Sequence, residues 1–246
     1  MSMSVAIITG AANGIGRAVC LRLAAAGFSI ELVDVEKKDA ERVKAEIVAR
    51  GGKAEIHVID VTNARQVKAT VAGVVAHHGR IDALANIAGG TAYLKRIEEL
   101  TWQEWKEDLD RNLKGTFLFC REIAPVMTRQ GSGRIVNTSS NYGLTGCALR
   151  TPYSSAKAAI IGFSKSLALE LTPFGVLVNI IAPGPTDTPR VLAKSTSAAR
   201  QRWAELIPMG RTAQPEEIAE GVAFLVGPES SYMAGQTVHI NGGLVM

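Results

Sequence analysis

Short runs of β-branched and apolar residues alternate along the chain with longer amphipathic stretches. The runs at Val5–Ile8, Ile30–Val33, Ile56–Ile59, Ile81–Ala85, Arg134–Asn137 and Val176–Ile180 each read as a buried strand. Between them, Gly14–Ala26, Asp39–Arg50, Ala64–His78, Thr101–Arg129 and Tyr153–Leu171 have helical length and spacing, and Gln236–Ile240 supplies a last strand. Such β-α repetition demands right-handed crossovers, which cover both faces of a parallel sheet. The predicted fold class is α/β: a single-domain, doubly wound parallel sheet (Rossmann fold) of about seven strands with helices on both faces. No linker or low-complexity tract divides the chain, so residues 1–246 are expected to form one domain.

Some boundaries carry their own chemistry. Thr101-Trp102-Gln103-Glu104 fits a capping box, which places Trp102 and Trp105 on the first turns of a long helix as ordinary packing aromatics. Pro215-Glu216-Glu217 puts proline and two acids where a helix N-terminus favours them. The stretch 183–212, with Pro183, Pro185, Pro189 and Pro208 and little periodicity, is the expected mobile lid.

Composition narrows the classes. At 246 residues and 47% hydrophobic, the chain can bury a large core, which excludes a disordered or fibrous protein. Its 27 basic against 23 acidic side chains give a formal charge of +4, scattered without a Lys/Arg block, so no nucleic-acid partner is expected. Cys20, Cys120 and Cys147 form no C-x-x-C pair, and His57, His77, His78 and His239 share no ligand spacing, so no metal site is expected. The opening Met1-Ser2-Met3-Ser4 shows no basic leader, and no apolar run approaches a membrane span. The expected location is cytoplasmic, with no membrane partner.

Directly after the first strand, Thr9-Gly10-Ala11-Ala12-Asn13-Gly14-Ile15-Gly16 opens a helix whose N–H groups and positive end would receive a pyrophosphate. Gly10 permits the turn, Gly14 lets backbone approach phosphate, and Gly16 allows close helix-to-strand packing. Such a cluster also serves as a plain tight turn. Asp34, ending the second strand, can accept hydrogen bonds from both adenosine ribose hydroxyls and would repel a 2′-phosphate. It can equally cap the next helix, and Lys37 and Lys38 act against the exclusion of NADP. Tyr153 and Lys157 stand at i and i+4, on one helix face, where an ammonium lowers a nearby phenol toward a value useful for proton transfer.

Taken in order, Thr9-Gly10-x-x-x-Gly14-Ile15-Gly16, Asn86-Ile87-Ala88-Gly89, Ser140, Tyr153-x-x-x-Lys157 and Pro183-Gly184 resemble the short-chain dehydrogenase/reductase family over essentially the whole chain. The later part, from Met209-Gly210-Arg211 through Val238-His239-Ile240-Asn241-Gly242-Gly243, looks most like its oxoacyl-carrier-protein reductase branch, whose features many alcohol and diol dehydrogenases share. The resemblance implies Tyr153 as general acid/base, Lys157 as the group that lowers its pKa and holds the nicotinamide ribose, and Ser140 as the substrate-orienting hydroxyl. Asn112 is the matching helix asparagine that supports a proton-relay water, and Ser139 is the competing serine. The resemblance also assigns Asp60 and Val61 to the adenine pocket, Asn86, Ala88 and Gly89 to the cofactor edge, and Pro183, Gly184, Thr186 and Thr188 to the nicotinamide side.

Two departures stand out. Ile87 replaces the second asparagine of the Asn-Asn-Ala-Gly motif, and Asn13 stands where NADP-dependent relatives often carry a basic residue. With Asp34, this favours NAD over NADP. The function read from the sequence is hydride transfer between NAD(H) and a secondary alcohol or ketone. The alternatives are an NADPH-dependent 3-oxoacyl thioester reductase and a catalytically silent dinucleotide-binding sensor. Substrate recognition is expected in Asn141, Tyr142 and Arg150, the last reading either as a solvated loop arginine or as a reader of an anion. The resemblance implies a homotetramer, with Ala158, Ala159, Gly162 and Phe163 facing either a partner or the chain's own sheet.

Overall fold

The computed structural model describes residues 3–246; Met1 and Ser2, which open the segment read for a leader, lie outside them. Strands β1 (Val5–Thr9), β2 (Ser29–Asp34), β3 (Lys53–Val58), β4 (Ala83–Asn86), β5 (Gly133–Thr138), β6 (Val176–Pro183) and β7 (Thr237–Ile240) form one sheet in the order β3-β2-β1-β4-β5-β6-β7. Every pairing is parallel. The order reverses between β1 and β4, and the crevice outside the strands' carboxyl ends at that point is where such sheets bind ligands. The helices are α1 (Gly14–Ala25), α2 (Lys37–Ala49), α3 (Ala64–His78), α4 (Trp102–Leu109), α5 (Gly115–Gln130), α6 (Asn141–Thr145), α7 (Thr151–Leu171), α8 (Pro189–Lys194), α9 (Ser197–Leu206) and α10 (Pro215–Val226).

Successive strand residues point to opposite faces, so each central strand feeds two cores. Ile8, Ile30, Leu32 and Val136 pack with α1, α2 and α10 through Val19, Leu23, Val43, Ile218 and Val222. On the other face, Ile7, Val33, Leu84, Ile135 and Val178 meet α3, α5 and α7 through Val71, Phe119, Ile123 and Ala168. These layers hold the strand ends, and hence the site, in place.

Four expectations change. The run Ile56–Ile59, read as a buried strand, belongs to an edge strand of which only Ala54 is buried, because β3 has a neighbour on one side only. The helix expected over Thr101–Arg129 is two helices joined by a π turn at Asp110–Lys114. Its capping box is present, with Glu104 N–H donating to Thr101 Oγ1 and Thr101 N–H to Glu104 Oε2, but Trp102 is 76% exposed rather than packed. The stretch 183–212 contains α8 and α9, each capped by a threonine hydroxyl, Thr188 and Thr196. Pro189, a breaker in mid-helix, is here a first-turn residue that starts one. On α7, Ala156, Ile160, Ser164 and Ala168 are buried, whereas Ala158, Ala159 and Gly162 are exposed and do not face the chain's own sheet. Among the described residues no helix is long and apolar enough to cross a membrane.

Candidate active site

At the end of β1, Thr9 Oγ1 accepts the N–H groups of Ile87 (3.1 Å) and Ala88 (3.2 Å), tying the ends of β1 and β4 together. The turn that follows needs its glycines. Gly10 has φ +67°, and a Cβ there would lie 2.8 Å from Ala88 Cα; one at Gly16 would lie 1.9 Å from the Gly10 carbonyl oxygen. The first turn of α1, with Gly14 and Ile15, therefore closes directly onto the strand end, and its N–H groups face the crevice side.

Asp34 holds this turn from the side. Its Oδ2 accepts Ala12 N–H at 2.9 Å and its Oδ1 accepts Glu36 N–H at 3.0 Å, so it braces two backbone segments while lining the cleft. The N-cap position of α2 is Glu36, not Asp34. Asn13 Nδ2 donates to Asp39 (2.7 Å), and Arg42 donates to Asn13 Oδ1 at 3.4 Å. Lys37 pairs with Glu41 at 3.8 Å, and neither it nor Lys38 lines the cleft. Further along, Asp60 accepts the N–H and hydroxyl of Thr62, both at 2.8 Å, and Val61 packs against Gly115. Ala88, Gly89, Pro183, Gly184, Thr186 and Thr188 also line the cleft.

Asn86 does not. It is 3% exposed and its Nδ2 donates to Asn137 Oδ1 at 2.9 Å, cross-linking β4 to β5 beneath the cleft floor. Asn112 is bound to the same region of backbone. Its Oδ1 accepts Gly90 N–H (2.8 Å) while its Nδ2 donates to the carbonyls of Asp108 (2.8 Å) and Gly90 (3.2 Å). With the amide so engaged and 1% exposed, it clamps the loop after β4.

Ser140 is the N-cap of α6; its hydroxyl accepts Tyr142 N–H at 3.2 Å and donates to Asn141 Oδ1 at 3.1 Å. The same hydroxyl favours the ionised form of the Tyr153 phenol. Ser139, the competitor, points the other way and donates to the Lys157 carbonyl at 2.7 Å. Lys157 is 3% exposed, its Nζ donates to the Thr138 carbonyl at 2.8 Å and lies 5.7 Å from the Tyr153 ring centroid. Burial pushes the Lys157 ammonium down to about 8. Burial pushes Tyr153 up, outweighing the Ser140 hydroxyl and the Arg150 charge that pull it down. Desolvation is the largest influence on the phenol.

Arg150, Asn141 and Tyr142 line the same cleft. The Arg150 guanidinium lies 5.4 Å from the Tyr142 ring centroid, and its Nη1 donates to Thr91 Oγ1 at 3.3 Å. Two participants escaped the sequence reading. Arg190 of α8 donates to the carbonyls of Gly89 (3.2 Å) and Thr91 (2.8 Å), and Asp108, buried with its carboxyl pushed up by desolvation, accepts Ala92 N–H at 2.9 Å. Arg190 was hidden because its helix was read as irregular. Asp108 stands at i−4 from Asn112, a spacing that places both on one helix face.

The cleft has a volume of about 1170 Å³, above the roughly 300–1,000 Å³ of a usual small-molecule site. It has room for a dinucleotide and a second molecule. The glycine turn that a Cβ would fill, the helix N-terminus and the acid at the end of β2 fit a nicotinamide dinucleotide.

Comparison with known proteins agrees with this geometry. The family model described as enoyl-(acyl carrier protein) reductase matches residues 10–245. The chain is 40% identical over 244 residues to the 3-oxoacyl-[acyl-carrier-protein] reductase FabG of Thermotoga maritima, covering 98% of each chain. It is 43% identical over 246 residues to the short-chain reductase protein NovJ of Streptomyces niveus, covering 98% of this chain and 93% of that one. Among solved structures, levodione reductase superposes with a TM-score of 0.94 at 33% identity, covering 99% of this chain and 98% of that one. A variant of actinorhodin polyketide ketoreductase determined with NADPH gives 0.94 at 32%, covering 99% of each. A glycine turn on the first strand, a Ser-Tyr-Lys cluster at the switch point and full-length likeness to reductases lead to one assignment: the chain belongs to the short-chain dehydrogenase/reductase family and is an oxidoreductase that uses a nicotinamide dinucleotide.

Proposed function

We propose that the protein interconverts a secondary alcohol and a ketone and prefers NAD(H) to NADP(H). The observation that carries the cofactor choice is the ribose end of the cleft. Asp34, Glu36, Asp39 and Asp60 line it, and no cationic side chain does so between residues 34 and 62. A 2′-phosphate brought there meets carboxylates at close range. The bound nicotinamide supplies or accepts the hydride. Tyr153 passes its phenolic proton to the carbonyl oxygen in reduction, Ser140 orients that oxygen, and Lys157 stabilises the phenolate left behind and holds the nicotinamide ribose. Gly10, Asn13, Gly14, Ile15 and Gly16 receive the pyrophosphate, while Pro183, Gly184, Thr186 and Thr188 flank the nicotinamide. The α8–α9 segment serves as the lid, latched by Arg190 onto the Gly89 and Thr91 carbonyls. The exposed small residues Ala158, Ala159 and Gly162 suit a helix packing across a two-fold in a homotetramer, for which light scattering showing a monomer is the contrary result.

A second reading, an NADPH-dependent 3-oxoacyl thioester reductase, is supported by the 40% identity to FabG. Steady-state oxidation of NADH and of NADPH with simple ketones and with a 3-oxoacyl thioester separates the two. The proposal expects higher kcat/KM with NADH and a loss of ~10² to 10⁴-fold in turnover for Tyr153→Phe with cofactor binding retained. Higher efficiency with NADPH and the thioester carries the second reading instead.

A further inference from the structure

The charge lining the cleft is divided. Against the four carboxylates at the ribose end, the opposite end carries Lys106, Arg111, Arg150, Arg190 and Lys194 with only Glu107 and Asp110. Most of these charges are already engaged. Lys106 pairs with Asp110 at 2.5 Å, Glu107 accepts hydrogen bonds from Tyr93 and Gln103, and Arg190 is committed to two backbone carbonyls. Arg111 and Lys194 are exposed and solvated.

Arg150 is different. It is half-buried, it stands three residues before Tyr153 as the N-cap of α7, and it makes no ion pair among the described residues. A guanidinium has five N–H donors, and within the described residues one hydrogen bond uses them, to Thr91 Oγ1. Its guanidinium carbon lies 5.4 Å from the Tyr142 ring centroid, a cation–π contact that holds the group without neutralising it. A cation held on two sides at the cleft wall, with most of its donors unused and no counter-ion among the described residues, is placed to receive an anion.

We propose that Arg150 is a specificity-determining residue that binds a carboxylate of the substrate, so that the preferred substrates are oxo acids and the corresponding hydroxy acids. This rests on the reading of the cleft as a ketone and secondary-alcohol site and names its substrate class. A planar carboxylate matches the fork bidentately. The anchored acid then presents its ketone to Ser140 and Tyr153, and loss of Arg150 acts on anionic substrates selectively.

The test compares matched pairs: 3-oxobutanoate, 4-oxopentanoate and 5-oxohexanoate, each against its methyl ester, with phosphonate analogues as a third arm. Arg150 also bears electrostatically on Tyr153, an effect common to acid and ester, so the informative quantity is the acid-to-ester ratio. For the wild type at least one acid has the higher kcat/KM. In Arg150→Leu that ratio falls ~10 to 100-fold, mostly through KM, the worth of a charge-assisted hydrogen bond of about 1.5–3 kcal/mol. Arg150→Lys restores part of it, and NADH binding followed by fluorescence reports that both variants are folded. Calorimetric titration of the same pairs into NAD⁺-loaded protein reads the site without turnover. Acid binding that exceeds ester binding and loses that advantage in Arg150→Leu upholds the proposal, even if no ketone is reduced, an outcome that sinks the proposed activity alone. Equal losses for acid and ester, or a wild type that binds the esters as well as the acids, overturns it. Phosphonates outcompeting carboxylates reassigns the anion and overturns the carboxylate claim.

Discussion

Replacing Lys157 by methionine should abolish turnover and yet stabilise the fold at neutral pH. The ammonium is 3% exposed, its one hydrogen bond goes to the Thr138 carbonyl, and burial brings its pKa from an ordinary 10.5 to about 8. In the unfolded chain the same lysine holds its proton more tightly, so below about 8 both states are protonated and the native state carries the full penalty. At ~1.36 kcal/mol per unit the penalty is ~3 kcal/mol. It is relieved as pH rises from about 8 to about 10.5, the window in which wild-type stability should climb on this account. Methionine keeps the chain length without the charge but gives up the bond to Thr138, worth ~1 kcal/mol. The net gain is ~2 kcal/mol at pH 7, which for a chain of this size is a rise of roughly 4–8 °C in Tm. Differential scanning calorimetry of wild type and Lys157→Met at pH 7 and pH 10 reads both parts. A variant that melts below the wild type at pH 7, or an advantage that does not shrink by pH 10, refutes the reasoning.

Two further outcomes are expected. Asp34→Asn removes a charge that opposes a 2′-phosphate by ~1–3 kcal/mol at about 5 Å, so the ratio of kcat/KM for NAD over NADP should fall at least ~5-fold. The same change leaves one of the N–H groups of Ala12 and Glu36 without its carboxylate acceptor, so Tm should fall by a few degrees; an unchanged cofactor ratio argues against the ribose assignment. Glu31 is buried in β2, which would raise its carboxyl, but hydrogen bonds from His57 (2.6 Å) and His78 (2.7 Å) outweigh burial and lower it. A depressed carboxylate contributes stability above its unfolded pKa and loses it as pH falls through the folded value. Glu31→Gln should therefore cost ~1–3 kcal/mol at pH 7, with the gap to wild type in chemical denaturation closing in acid; a gap independent of pH counts against the hydrogen-bonded Glu31–histidine cluster.

The order of strands and helices was legible because period-2 and period-3.6 hydrophobic patterns follow from burial on a sheet or a helix face. Ser140, Tyr153 and Lys157 were legible because their spacing survives folding: one strand end and one helix turn set it. What the sequence concealed lay where one residue type serves two ends. Asn86 and Asn112 are polar and near the cleft, and both amides also tie the scaffold together, Asn86 across β4 and β5 and Asn112 on Gly90. Periodicity did not separate α4 from α5 because a π turn shifts the face without interrupting the helix. Arg190 and the Arg150–Tyr142–Thr91 contact join segments distant in the chain, and no local pattern encodes such a meeting.

Lys157 is bound to the sheet at both of its ends, its ammonium to the Thr138 carbonyl and its own carbonyl to the Ser139 hydroxyl. Gly143 presses on the same peptide, close enough that a Cβ would lie 2.7 Å from the Lys157 carbonyl carbon. The reacting groups are in this way bolted to β5, whereas Thr91, Arg150 and the α8–α9 segment hang from connections outside the layers. The molecule divides into a chassis and exchangeable fittings. Transplanting residues 91–94, 146–150 and 189–206 from another family member should change which ketone is accepted while the hydride and proton geometry travels unchanged with the chassis.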